Sequence, residues 1–169
     1  SRLSNLLSWR IPLGDPDRFL TSLSPLVQPF AGWAGLLLWS VLVGSGLVLG
    51  ALHWPDLTHD AVGQLTSPHS LLVLWFLFPV IKLLHELGHG FMTKALGGEV
   101  HEIGVMLLVL TPVPYCEASA AWAFRDRWHR LLVGAAGMMV EAMLASVALV
   151  LWINAEPGLI RLLAYNTVF

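Results

Sequence analysis

Charge is the scarcest property of this 169-residue chain: 12% of its residues are Asp, Glu, Lys or Arg, where a soluble globular domain carries about a quarter. With 56% hydrophobic residues and a mean hydropathy of +0.71, that deficit excludes an ordinary water-soluble domain and reads as an integral membrane protein of one domain. Basic residues are equally few, and the net charge of −2 argues against nucleic acid as a partner. Cys116 is the single cysteine, so there is no disulfide framework; it is either a small buried hydrophobe or a neighbour of a metal. A cleavable signal peptide is missing too, because residues 1–33 are polar, carry prolines and lack a short apolar core. The chain starts without Met and stops at Phe169 inside an apolar run, so it reads as a fragment of a longer protein.

Long apolar runs fill the rest. About 20 residues are needed to cross a bilayer, and residues 31–52, 70–96 and 131–153 each qualify, with a fourth run starting at Gly158. Trp33, Trp54 and Trp152 stand near span ends, as interfacial belts prefer. The leader, residues 1–30, has Arg2, Arg10, Arg18 and four prolines; Leu3, Leu6, Leu7 and Ile11 recur at near-helical spacing, giving either a short interfacial helix or a loop packed on the membrane. Residues 53–68 lack Lys and Arg, and their Asp56, His59 and Asp60, with His69 just beyond, read as a solvated non-cytoplasmic loop in preference to a metal cluster. Gly97-Gly98 ends the second span.

Residues 103–110 form an apolar run too short to span and rich in strand formers, ended by Thr111, Pro112, Val113 and Pro114. Such a strand must lie against protein or line a cavity; it either aligns an extended substrate along its edge or packs as a re-entrant element. Residues 116–130, with Arg125, Arg127, Arg130, Trp122, Phe124 and Trp128, read as an interfacial helix. The Lys/Arg bias puts the N-terminus and residues 99–130 in the cytoplasm. The expected fold is an all-α membrane protein, a helical bundle of three complete spans plus the start of a fourth. A short re-entrant strand follows the second span, and the leader 1–30 precedes a core over 31–169.

Inside the second span stands His-Glu-x-x-His, at His85, Glu86 and His89. Positions i and i+4 share one helix face, so both imidazoles can reach one metal ion, and Glu86 falls where it can take a proton from a metal-bound water. An ionisable residue within a span is a functional hypothesis by default, and here there are three within five positions. Lys82, one turn earlier, either snorkels or pairs with Glu86. The third span holds the small-residue run 134–137, GAAG, suited to tight contact with another helix. Its one carboxylate, Glu141, should face the bundle interior as a ligand, as a partner to a metal-bound His, or as a structural hydrogen-bonding residue.

The succession of HELGHG at 85–90, Gly97-Gly98, an apolar strand from Ile103 and a small-residue helix at 134–145 resembles the site-2 proteases, intramembrane zinc metallopeptidases. Residues 111–117, TPVPYCE, and 135–141, AAGMMVE, are most similar to a bacterial branch described as peptide zinc metalloproteases and associated with peptide modification or export. The resemblance covers most of the chain from Ala31. It implies Zn2+ held by His85 and His89, Glu86 as general base, and a third ligand, Asp, on a later span beyond Phe169. It also implies a bacterial cytoplasmic (inner) membrane setting with a cytoplasmic N-terminus, a peptide or membrane-protein substrate, and peptide export partners. The chain departs from the family at 137–141, GMMVE, where many members read Gly-Pro-x-x-Asn.

The expectation is a zinc metalloendopeptidase cleaving a membrane-associated protein or peptide, with residues 1–169 alone inactive. The rival is a non-catalytic membrane subunit of a peptide maturation or export complex. A metal transporter is disfavoured, because Glu86 and Glu141 are the only carboxylates inside the spans.

Overall fold

The computed structural model describes residues 8–59, 61–108, 111–116 and 124–169. In chain order the elements are strand β1 (Ser8–Gly14), helix α1 (Asp17–Val27), a 3-10 turn (Gln28–Ala31), and helices α2 (Trp33–Leu52), α3 (Trp54–Thr58), α4 (Ala61–Leu65) and α5 (Pro68–Ala95). Strands β2 (Ile103–Leu108) and β3 (Thr111–Cys116) and helices α6 (Arg127–Asn154) and α7 (Leu159–Val168) complete the order. Among the described residues three helices, α2, α5 and α6, are long and apolar enough to cross a membrane, at the positions composition indicates. The chain divides into two compact units, Ser1–Gly35 with Pro79–Val140, and Leu36–Phe78 with Glu141–Phe169.

The first unit contains a three-stranded antiparallel sheet in the order β1-β2-β3, so the fold is helical with a small sheet rather than all-α. The expected strand is there as β2, but it is central: Val105 faces Ile11 of β1 on one side and Pro114 of β3 on the other. Thr111–Pro114, expected to terminate a strand, belongs to β3. Proline cannot donate to a ladder, yet an edge strand pairs on one side only and tolerates it. Both proline-bearing strands, β1 with Pro12 and β3 with Pro112 and Pro114, occupy sheet edges. The same pairing overturns the interfacial helix through Ile11, which lies in β1; Leu3, Leu6 and Leu7 fall outside the described residues.

Helix α1 is tied to the end of α5 through Asp17. Its carboxylate accepts from Lys94 Nζ at 2.8 and 3.0 Å and from the Val100 N–H at 3.2 Å. The Lys94 bond first, and the backbone donor second, hold the Asp17 carboxyl below the usual carboxylate range. Leu20 of α1 and Val100 are fully buried beside this tie. Helix α5 stops as expected: Gly97 takes a left-handed φ of 83°, and the N–H groups of Gly97 and Gly98 donate to Lys94 O and Thr93 O at 3.0 and 2.8 Å. This pair of bonds is the Schellman closure.

Helix α6 begins earlier than the third apolar run because Asp126 caps it, its Oδ1 accepting from the Trp128 N–H at 2.9 Å. The separate interfacial helix expected over 116–130 is therefore corrected. Residues 124–126 are not helical, 127–130 are the first turns of α6, and 117–123, with Trp122, lie outside the described residues.

In the second unit α2 and α6 approach closely at Gly46, where a Cβ would overlap the Ser146 side chain, and at Gly50, where it would touch Leu149 Cδ2 at 3.5 Å. The core gathers Leu57, Ala148, Leu149, Trp152, Ala164 and Tyr165. Tyr165 donates its hydroxyl to Leu57 O at 2.9 Å, and Asn166 Nδ2 donates to Ser70 Oγ at 3.3 Å, in bonds from α7 to α3 and to the start of α5. Residues 53–68, expected as a loop, form the short helices α3 and α4, and Asp60 lies outside the described residues. Large apolar side chains point outward along α2, Leu37 at 66% and Leu47 at 72% exposure. Water does not favour such a surface and lipid does.

Candidate metal centre

His85, Glu86 and His89 sit on α5 in the first unit, about two to three turns before its glycine stop. Each is half-buried, and each offers one ligand atom within 4.8 Å of the other two. Among the described residues this is the group of three that could hold a metal ion. The helix supplies the convergence, since residues four apart lie one above the other on one face.

The two imidazoles face each other through Nε2, 3.0 Å apart. Nitrogens each about 2.05 Å from a tetrahedral zinc ion stand roughly 3.3 Å apart, so the pair needs only a few tenths of an ångström to chelate. Their rings are nearly perpendicular, with centroids 4.8 Å apart and planes at 76°. The donor set could hold a metal ion.

Helix α6 fixes the orientation of His89. Its Nδ1 lies 2.6 Å from the carbonyl oxygen of Val133. A carbonyl only accepts, so Nδ1 carries the proton and Nε2 presents its lone pair toward His85. His85 Nε2–H donates to that lone pair; with a metal between them His85 would carry its proton on Nδ1.

The helices can approach so closely because the facing positions are small. A Cβ on Gly88 would stand 2.9 Å from Val140 Cγ2 and 3.1 Å from Ala136 O. A Cβ on Gly137 would overlap the His85 imidazole. Ala136 and Gly137, the end of the run 134–137, thus do what small residues suggest, and their partner is the motif helix itself. Glu141, weighed as a ligand, as a partner to a metal-bound His or as a structural residue, belongs to the second unit; the group that His89 Nδ1 meets is a backbone carbonyl.

The sheet positions the carboxylate. The Cys116 N–H, at the end of β3, donates to Glu86 Oε2 at 3.1 Å. Cys116 thus adjoins the motif through its backbone. Burial first, and the Glu86 charge second, push its thiol up to about 11. That N–H points away from β2, and strand alternation sends Pro112 and Pro114 to the same outer edge, where neither has a donor. Of the two roles weighed for this strand, a substrate edge is not open along β2, which is paired on both sides, by β1 and β3.

Three contributors escaped sequence reasoning. The Val133 carbonyl and the Cys116 N–H are backbone groups with no residue signature, and Gly88 lies within the motif at a position the motif leaves open. Gly137 was legible as a small residue, not as the floor under His85. No family model, no curated protein and no solved structure matches the chain.

Proposed function

We propose that this protein is a membrane-embedded zinc metallopeptidase of the site-2 protease type, hydrolysing peptide bonds of a membrane-associated protein or peptide. The observation that carries the reading is the convergence of His85 Nε2, His89 Nε2 and the Glu86 carboxylate on one helix face. The Val133 carbonyl sets the His89 tautomer and the Cys116 N–H steadies Glu86.

His85 and His89 would hold the ion. Zinc bound there supplies Lewis acidity, polarising a substrate carbonyl and bringing the pKa of water towards about 7. Glu86 accepts the proton of the attacking water and returns it to the leaving amine. Its bond from Cys116 occupies one oxygen and leaves the other for the proton. Half-burial limits bulk water without sealing the site. The outward apolar faces of the long helices support a bilayer setting, and the arginine bias supports a cytoplasmic N-terminus.

The test is direct. The full-length protein, zinc-loaded in lipid vesicles, is incubated with membrane-associated peptides, and new amino termini are read by mass spectrometry. Cleavage that stops with a chelator and returns with zinc is expected. Zinc-loaded protein that yields no new termini across a broad peptide set would favour the non-catalytic subunit. Membrane placement has its own test: single cysteines at positions 125 and 59, in a Cys116→Ser background, should label from the cytoplasmic and the opposite side respectively. Labelling from one side alone would remove the spanning reading.

A further inference from the structure

The second unit holds an open cleft of about 590 Å³ that the peptidase chemistry does not use. Its charged and polar lining comes from His53, Asp56, His59, Gln64 and Arg161, and Trp152 lines it as well. The volume is within the range of small-molecule sites and exceeds what an inorganic ion needs.

Arg161 lies over the Trp152 ring, its guanidinium carbon 5.1 Å from the centroid, and Trp152 is itself buried. Stacking fixes the guanidinium plane and leaves its N–H edges free to bond an oxyanion. Among the described residues no carboxylate lies within ion-pair distance of Arg161. His53 donates Nδ1–H to Leu49 O at 3.0 Å, so its Nε2 remains for a ligand. Gln64 is held by His59 O at 3.3 Å. Asp56, on the same cleft, is exposed and carries the opposite charge. One fixed cation and one carboxylate in one cleft suit a ligand that is itself a zwitterion.

Placement indicates the source. His53 directly follows α2, and Trp152 is in the last turn of α6, two helices long and apolar enough to cross a membrane. Trp54, next to His53, is 60% exposed, as interfacial tryptophans are. A cleft at the ends of two spans lies at headgroup level. We infer that it binds a phosphate ester bearing a primary ammonium, the headgroup of phosphatidylethanolamine, with the phosphate on Arg161 and the ammonium on Asp56. The inference rests on the membrane reading, not on the peptidase reading.

The experiment is a titration of the detergent-solubilised full chain, following tryptophan fluorescence, with four probes: dihexanoyl phosphatidylethanolamine, dihexanoyl phosphatidylcholine, O-phosphoethanolamine and inorganic phosphate. Dihexanoyl phosphatidylethanolamine should bind most tightly. Arg161→Gln should weaken it on the order of ten- to a hundredfold, and Asp56→Asn should abolish its advantage over the choline lipid. Asp56 is exposed, so that variant keeps the test alive if loss of Arg161 disturbs folding. Binding unchanged in both variants, or no binding by the wild-type chain, overturns the proposal. O-phosphoethanolamine binding as tightly as the lipid overturns the lipid source and keeps the phosphate–ammonium chemistry. Carbonate extraction of membranes is read alongside: a protein released by carbonate removes the membrane reading, whereas an embedded protein with an indifferent cleft removes this proposal alone.

Discussion

His89 donates Nδ1–H to the carbonyl oxygen of Val133 at 2.6 Å, and this one bond from α5 to α6 leaves the lone pair of His89 aimed at His85. A metal-ligating histidine needs its other nitrogen protonated and held. Here the holding group is a main-chain carbonyl, which no substitution at position 133 removes. The orientation therefore depends on how closely the helices approach, and that is set by the glycines between them.

Gly137→Ala is expected to push the His85 imidazole away from His89, because its Cβ would overlap that ring. Overpacking of this kind costs about 1–3 kcal/mol, and displaced ligand support typically weakens metal affinity about 10- to 100-fold. Gly134 has open space where its Cβ would be, so Gly134→Ala is the matched control and should bind zinc like the wild type. Competition with a chromophoric chelator measures both. Equal affinity in the two variants would mean that Gly137 does not set the position of His85.

A pH dependence is expected at the tie between the leader and the segment after α5. His101 lies between Asp15 Oδ2, at 3.4 Å from Nδ1, and Glu99 Oε2, at 3.1 Å from Nε2. The Asp15 bond first and the Glu99 bond second raise its pKa above the ordinary 6.5. A raised folded pKa gives stability that is fully present below the unfolded value and is lost as pH rises through the folded one. Thermal melts of wild type and His101→Gln should differ at pH 5.5 and converge as the solution becomes alkaline. The group is exposed, so the difference is small. A larger difference at alkaline pH would reverse the sign and refute the pairing.

Cys116 should be slow to alkylate. A thiol pushed up to about 11 from an ordinary 9.0 holds roughly a hundredfold less thiolate at neutral pH. It is the single cysteine, so intact-mass measurement after N-ethylmaleimide treatment reads it without ambiguity. Glu86→Gln removes the smaller cause and should speed the reaction while burial keeps it below that of a free thiol. Labelling of the wild type at the free-thiol rate would contradict the placement of β3 against the motif.

What the sequence discloses and what it hides divides along local and non-local physics. The three long helices follow from runs of apolar residues, and the α5 stop follows from Gly97, which alone among residue types adopts φ of 83° without strain. His85, Glu86 and His89 are legible because helical spacing by itself brings them together. The sheet is hidden because Ile11 and Val105 meet across more than ninety residues and because Pro112 and Pro114 read as an end when they mark an edge. The Asp126 cap was visible as a residue type, but the arginines and aromatics around it read as a separate element. The Val133 carbonyl has no sequence signal at all.

The measurement that bears most directly on the peptidase assignment is turnover by Glu86→Gln alongside its zinc content. The amide keeps the size of the carboxylate and an oxygen for the Cys116 N–H, so the fold and both imidazoles are retained while the proton acceptor is lost. Zinc stoichiometry equal to the wild type, with cleavage reduced about 10²- to 10⁴-fold, is the expected result. Zinc-loaded Glu86→Gln cleaving at the wild-type rate would contradict the assignment of Glu86 as the base, and with it the proposed chemistry.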